Sequence, residues 1–337
     1  MLRPVLATSE LRKSMTVRPA ARRGGCYGSP AMSDDPRLAP ALAKVWPGRA
    51  TAVVPIEAGI TNRNYRVEVD GETFVLRLAG TDTELLGIDR AAEVEAGRVA
   101  FEAGVGPEVV AFEPDLGCIV TRFVGGSPIP EEELGNEGVM RSVVSSIRAI
   151  HGSRPIRATF PVFRIVEGFR DIAAERGVRV PDEFGAAHAV AGRIEEAFAA
   201  APAPLTTCHN DLLNANFLLE GDHTWIVDYE YAGMGDPLFD LGNLSINNGL
   251  DDDAQALLLR TYFGEVRDVH RARLALMRII SDLREAMWGV VQQAISTLDF
   301  DYVDYATRHF RRLLASADDP RVDGWLEAAR EPLPATT

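Results

Sequence analysis

Between His209 and Asp228 the chain reads His209-Asn210-Asp211-Leu212-Leu213-Asn214-Ala215-Asn216, then apolar Phe217 to Leu219, a polar link, apolar Trp225 to Val227, and Asp228. Two apolar runs that short, so closely spaced, bury a face by pairing as a hairpin. A hairpin returns its ends to one place, so Asn216 and Asp228 arrive side by side, with Asp211 on the loop that precedes them. Phosphoryl transfer needs little more than this: a carboxylate that orients a hydroxyl and accepts its proton, and hard oxygen ligands for Mg²⁺ on a triphosphate. The order suits that chemistry, with Asp211 as base, His209 beside it in the catalytic loop, and Asn216 and Asp228 on the metal. Asp and Asn also dominate ordinary turns, and either residue alone reads that way. The set together with its hairpin carries the catalytic reading.

Upstream, β-rich runs at Ala52 to Ile56, Asn64 to Val69 and Thr73 to Leu78 are interrupted by Asp70-Gly71, a strong hairpin signal. A helix follows over Asp89 to Ala103, stopped by Gly104 and Gly106-Pro107. Val109 to Phe112 and Cys118 to Phe123 read as two more strands around a Pro114-Asp115-Leu116-Gly117 turn. Gly125-Gly126-Ser127-Pro128 reads as a linker. Beyond it the pattern is mainly helical, for example Val139 to His151, Ala186 to Ala200, Asp253 to Phe263 and Arg271 to Ile295. The expected organisation is therefore an extension over 1–34, an α+β N-terminal nucleotide-binding lobe over 35–124, and a larger C-terminal catalytic and substrate lobe over 125–330. The first thirty or so residues carry six basic residues against Glu10, and the extension reads as disordered chain or as an upstream start with Met32 the native initiator.

A chain of 337 residues, 46% hydrophobic, can bury a large core. Its formal net charge of −14 offers no general affinity for phosphate backbones or anionic lipid and fits a cationic or neutral small substrate better than nucleic acid. Cys26, Cys118 and Cys208 lie far apart, without zinc or disulfide spacing, which suits a reducing cytoplasm. No apolar run reaches the roughly 20 residues of a membrane span.

Cys-His-Asn-Asp-Leu-Leu-Asn-Ala-Asn-Phe at 208–217, Val-Asp-Tyr-Glu-Tyr-Ala-Gly at 227–233 and Asp-Pro-Leu-Phe-Asp-Leu-Gly-Asn at 236–243 resemble the choline/ethanolamine kinase and aminoglycoside phosphotransferase group. The resemblance spans about Ala52 to Leu314. It implies a protein-kinase-like two-lobed fold, a small antiparallel-sheet N-lobe with a mainly helical C-lobe, using ATP and Mg²⁺. On that pattern Gly59, Thr61, Asn62 and Asn64 belong to the phosphate-covering loop, though an ordinary hairpin loop explains them as well. Arg77 would grip phosphates from the third strand, with Glu93 as its helix partner in preference to Glu95; the competing view is a solvent-facing arginine on an edge strand. The hinge at Phe123 and Val124 would meet adenine through its backbone. Asp240 would brace the catalytic loop, or else cap the following helix.

On the acceptor side, Leu283 to Ser296 and Phe300 to Ala306 resemble the segment that supplies aromatic walls for a trimethylammonium group, with Trp288 and Tyr302 matching pocket aromatics; a helical core stripe is the alternative. Glu230 is assigned to the same side. The sequence departs from the pattern where Glu285 stands in place of a tryptophan and Asn247 near an expected acid. Glu285 and Asp282 would still favour an amine, including a primary one. The expected substrate is a small amino alcohol, choline or ethanolamine first. Thiamine, a sugar or an aminoglycoside, or a non-catalytic nucleotide-binding relative, are the alternatives.

Overall fold

Asp70 and Gly71 both take positive φ, 52° and 85°, as a two-residue hairpin turn demands, and the strands they join run in register from Val69↔Glu72 to Arg63↔Leu78. The computed structural model describes residues 35–56, 62–80, 83–296 and 300–334. Gly59, Thr61 and the extension over 1–34 lie outside them. In chain order the elements are α1 (Leu38–Val45), β1 (Ala52–Ile56), β2 (Arg63–Val69), β3 (Glu72–Leu78), α2 (Arg90–Glu102), β4 (Val109–Glu113), β5 (Cys118–Arg122), β6 (Ser127–Pro128), α3 (Glu137–His151), α4 (Val162–Glu175), α5 (Phe184–Ala199), β7 (Thr206–Cys208), β8 (Phe217–Glu220), β9 (His223–Ile226), β10 (Gly233–Gly235), α6 (Pro237–Asn247), α7 (Asp252–Phe263), α8 (Asp268–Ile295), α9 (Tyr302–Ala317) and α10 (Val322–Ala328). Two compact units emerge. Of the described residues, one unit takes those through Gly80 together with Val110–Phe123, and the other takes those from Thr83 to Val109 and from Val124 onward.

The first unit is an antiparallel sheet in the order β1-β2-β3-β5-β4. Alternation along β2 and β3 puts Tyr65, Val67, Val69, Phe74, Leu76 and Leu78 on one buried face, against Leu38, Ala41 and Trp46. Full burial of Leu76 and Leu78 contributes about 1.5–3 kcal/mol each. Arg77 points from the other face of β3. That strand lies between β2 and β5, so the edge-strand reading of Arg77 fails: its second neighbour comes from more than thirty residues downstream.

In the second unit, α8 packs against α4, α6, α9 and α10. From Val269 to Gln292 it is buried on nearly every side, including Arg273, Asp282, Arg284 and Glu285. At Gly242 of α6 an added Cβ would meet the Met277 backbone carbon of α8 at 2.9 Å, so only glycine permits that approach. Ser127 and Pro128, expected as linker, pair with Leu219 and Leu218 and make β6 the third strand of the β8–β9 sheet. No helix among the described residues is long and apolar enough to cross a membrane.

Candidate active site

The hairpin forms as its apolar runs require, with Phe217 opposite Ile226 and Leu218 opposite Trp225. The second strand starts earlier than expected, at His223, and ends at Ile226. One further bond, Val227 N–H to Asn216 O at 3.0 Å, extends the pairing and brings Asn216 and the residue before Asp228 together. Asn216 Nδ2 donates to the Asp211 carbonyl at 2.9 Å, which leaves its amide oxygen as the end of the side chain open to a cation. Asn210 and Asp228 sit at φ 65° and 69°. Left-handed backbone costs non-glycine residues roughly 1–2 kcal/mol, least for Asn and Asp, and clusters at functional sites.

The loop is held by a full set of backbone hydrogen bonds. Asp240, fully buried on α6, accepts from His209 N–H at 2.8 Å and Asn210 N–H at 2.6 Å. Asp211 N–H donates to His209 Nδ1 at 3.2 Å, Leu212 N–H to Asn243 Oδ1 at 2.6 Å, and Asn214 N–H to Asn248 Oδ1 at 2.8 Å. Leu213 N–H reaches the Asp211 carbonyl at 2.9 Å. No backbone N–H from 209 to 214 is left for water, so moving the loop costs these bonds. Asp240 is thus the brace of the loop. Capping of α6 falls to Asp236, which accepts from Leu238 N–H at 2.9 Å.

His209 uses both ring nitrogens inside the fold. Since Nδ1 accepts from Asp211 N–H, the proton sits on Nε2, which donates to Val227 O at 2.9 Å. Burial lowers its pKa, so the ring is neutral and joins the loop to the strand end. His151 supplies a third donor to Asp240, Nε2 to Oδ2 at 2.9 Å, and its Nδ1 bonds Tyr262 OH at 2.7 Å. His151, Cys208 and Asp240 have donor atoms at metal-binding spacing, but the carboxylate is already spent on three N–H donors.

Asp211 presents its carboxylate beside α8. Burial pushes its pKa well up, against the pull of the Arg284 guanidinium 3.8 Å away. Arg284 is stacked 4.2 Å over the Tyr231 ring and donates from Nη1 to Glu285 Oε1 at 2.7 Å. Glu285 Oε2 accepts from Tyr305 OH at 2.7 Å. Trp288 Nε1 donates to Tyr231 OH at 2.9 Å, and its ring packs edge-on against Tyr302 and Tyr305 at 6.0 and 5.6 Å. Glu285, Trp288 and Tyr302 are therefore brought together. Glu230 is buried, forms an ion pair with Arg90 Nη1 at 3.3 Å, which also holds Glu93 at 2.7 Å, and its charge acts on Asp211. Asn247 is buried on α6 with its Nδ2 lacking a hydrogen-bond partner among the described residues.

In the N-terminal sheet, Asn64 and Arg77 face one another across β2 and β3, and Asn62 Oδ1 accepts from Gly80 N–H at 3.4 Å. Phe123 is exposed, with the Arg66 guanidinium 5.2 Å over its ring, and Val124 follows half-buried. Glu95 is committed to the Arg157 N–H at 3.2 Å. Sequence reasoning passed over Arg284, Tyr231, Tyr305, Asn243, Asn248 and His151. A buried-face histidine ending an amphipathic helix was the signal available for His151.

The family model described as "Phosphotransferase enzyme family" matches residues 52–276. The crystal structure of a choline/ethanolamine kinase family protein from Mesorhizobium loti superposes with a TM-score of 0.76, at 32% identity, covering 87% of this chain and 99% of that one. Protein LicA of Haemophilus influenzae is 26% identical over 246 residues, 70% of this chain and 72% of LicA. Ethanolamine kinase 2 of Rattus norvegicus is 26% identical over 309 residues, 82% of this chain and 79% of its own.

Proposed function

The chain belongs to the phosphotransferase enzyme family, and from that premise we propose that it transfers the γ-phosphoryl group of ATP to the hydroxyl of a small amino alcohol, choline or ethanolamine. One observation carries the reading. Asp211 has Asn216 Nδ2 on its backbone oxygen at 2.9 Å and, 3.8 Å from its carboxylate, the guanidinium of Arg284, which stacks on the Tyr231 ring whose hydroxyl accepts from Trp288 Nε1. A hydroxyl held by that carboxylate is adjacent both to oxygen donors for a metal–nucleotide and to aromatic side chains for an ammonium.

The donor set at Asn216 and Asp228, an amide oxygen and a carboxylate, fits Mg²⁺. These two residues would hold it, and bound there it would neutralise charge on the phosphates. The remaining work falls to the chain. Asp211 orients the acceptor hydroxyl and takes its proton as oxygen bonds to phosphorus and the bond to ADP breaks. Asp240, Asn243 and Asn248 keep the loop from moving during that exchange. Arg77, Asn62 and Asn64, with Gly59 and Thr61, are assigned to the phosphates, the backbone at Phe123 and Val124 to adenine, and Glu93 to the bracing of the phosphate side. Trp288 and Tyr302 face the ammonium.

The test is ADP release from Mg-ATP with choline and ethanolamine. Turnover is expected, and Asp211→Asn should lower kcat by about 10²–10⁴-fold. Absence of acceptor-dependent ADP release with both amines, or undiminished turnover in Asp211→Asn, overturns the proposal.

A further inference from the structure

The carboxylates that the α8 region offers to an ammonium are already engaged. Glu285 is buried, with Oε1 held by Arg284 and Oε2 by Tyr305, each at 2.7 Å. Asp282, also buried, accepts from His309 Nδ1 at 2.8 Å and from Arg312 Nε on both oxygens at 2.9 Å. Arg284 is as dependent on Glu285 as Glu285 is on it. The guanidinium is 2% exposed, its Nε and Nη2 have no hydrogen-bond partner among the described residues, and Glu285 is the hydrogen-bond acceptor it has. Asp211, at 3.8 Å, is needed for the acceptor hydroxyl.

We infer that Arg284 sets amine selectivity by masking Glu285, so that the acceptor site meets an ammonium with aromatic rings and a neutralised ion pair and selects a methylated ammonium over a primary one. The inference rests on the amino-alcohol reading and deepens it. A primary ammonium brings three N–H donors that need acceptors once water is removed, and burying them unaccepted is unfavourable. A trimethylammonium has none, and its diffuse charge is met by ring faces. Each Glu285 oxygen already accepts one bond, so a primary ammonium that turned to Glu285 would compete with Arg284 for the carboxylate and loosen the hold on a buried guanidinium beside the base. The glutamate that stands where a tryptophan was expected is thus no invitation to ethanolamine while Arg284 is present. Burial pushes the Glu285 carboxyl up, but Arg284, His309 and Tyr305 together bring it below the ordinary glutamate value, so the pair is ionic.

The experiment compares kcat/KM for choline and ethanolamine in wild type, Arg284→Gln and Glu285→Gln. Wild type is expected to favour choline. Arg284→Gln frees the carboxylate and should move the choline-to-ethanolamine ratio at least about tenfold toward ethanolamine, mostly through KM, since one hydrogen bond to a charged group is worth that much. Glu285→Gln keeps an amide oxygen for Arg284 and should leave the choline preference in place. That arm stands even if Arg284→Gln does not fold. A wild type that favours ethanolamine, an unchanged ratio in folded Arg284→Gln, or a KM for ethanolamine raised about tenfold by Glu285→Gln, as direct contact demands, overturns the inference while leaving the kinase reading intact. Turnover of neither amine by wild type overturns both.

Discussion

The loop from His209 to Asn214 and the stretch of α8 from Asp282 to Trp288 are both buried and both polar, yet they are satisfied by different means. In the loop the demand comes from backbone N–H groups and is met by Asp240, Asn243, Asn248 and His209. In α8 the demand comes from charged side chains, which neutralise one another through Arg284–Glu285 and Asp282–Arg312. The loop lies inside the family span of 52–276, and the α8 cluster begins just beyond it. A backbone cradle ties the loop to α6 through fixed partners, whatever the acceptor is. A set of side-chain pairs can be exchanged as a unit without moving the chain, which suits the acceptor-choosing role proposed for α8.

The contrast can be broken by removing the anion from each region. Asp240→Asn deprives the N–H groups of His209 and Asn210 and the His151 ring of a buried carboxylate, and we expect a loss of about 3–5 kcal/mol in unfolding free energy. The double variant Arg284→Gln/Glu285→Gln removes both charges of a buried pair together, which is often neutral or stabilising. Urea unfolding of the two proteins measures the difference directly. Equal losses would mean that α8 is as much a backbone brace as the loop is.

The same distinction explains what the sequence made legible. His209 to Asn216 and Asp228 were readable because a short hairpin fixes their meeting from local spacing, and the Asp70-Gly71 turn was readable for the same reason. Arg77 was not placed, because its second neighbouring strand is β5 and no local pattern reveals that pairing. α6 shows little amphipathic signal, since every residue from Leu238 to Asn247 is buried. The Arg284–Glu285 pair was hidden for a geometric reason: adjacent residues on a helix do not ordinarily face one another. They meet here because Tyr231 stacks beneath the guanidinium and Tyr305 holds the far oxygen of the carboxylate.

Gly289 sharpens the comparison from the α8 side. A Cβ added there would stand 2.8 Å from the Tyr305 ring and 3.4 Å from the Ala306 backbone nitrogen, so α8 and α9 approach this closely only over a glycine. Gly289→Ala gains up to about 1 kcal/mol of helix propensity and loses about 1–3 kcal/mol to overpacking. With the full propensity gain, the expected net loss is therefore about 0–2 kcal/mol, read by thermal unfolding. Because Tyr305 must shift, Glu285 loses its second partner, and the acceptor KM should rise while the KM for ATP holds. An effect on both KM values would show that the two regions are coupled.

The smallest effect separates the regions by pH. His209 binds a proton less readily folded than unfolded, because burial disfavours the imidazolium. Below its ordinary value of 6.5 the unfolded chain takes up a proton that the native chain refuses, so this contribution to stability is present above pH 6.5 and drains away as pH falls. Glu285 shifts downward for the opposite class of group: burial opposes its charge, but Arg284 outweighs burial, and its ordinary value is 4.5. Its contribution is present above pH 4.5 and is lost as pH falls through the depressed folded value. Unfolding free energies of wild type, His209→Gln and Glu285→Gln, measured from pH 8 to 4, should therefore diverge in sequence. The His209 variant loses its slope below about pH 6.5, and the Glu285 variant differs in slope only below about pH 4.5. A Glu285-dependent slope already developed near neutrality would mean that the carboxylate binds a proton there in the native state, and the ion pair that masks it would not exist.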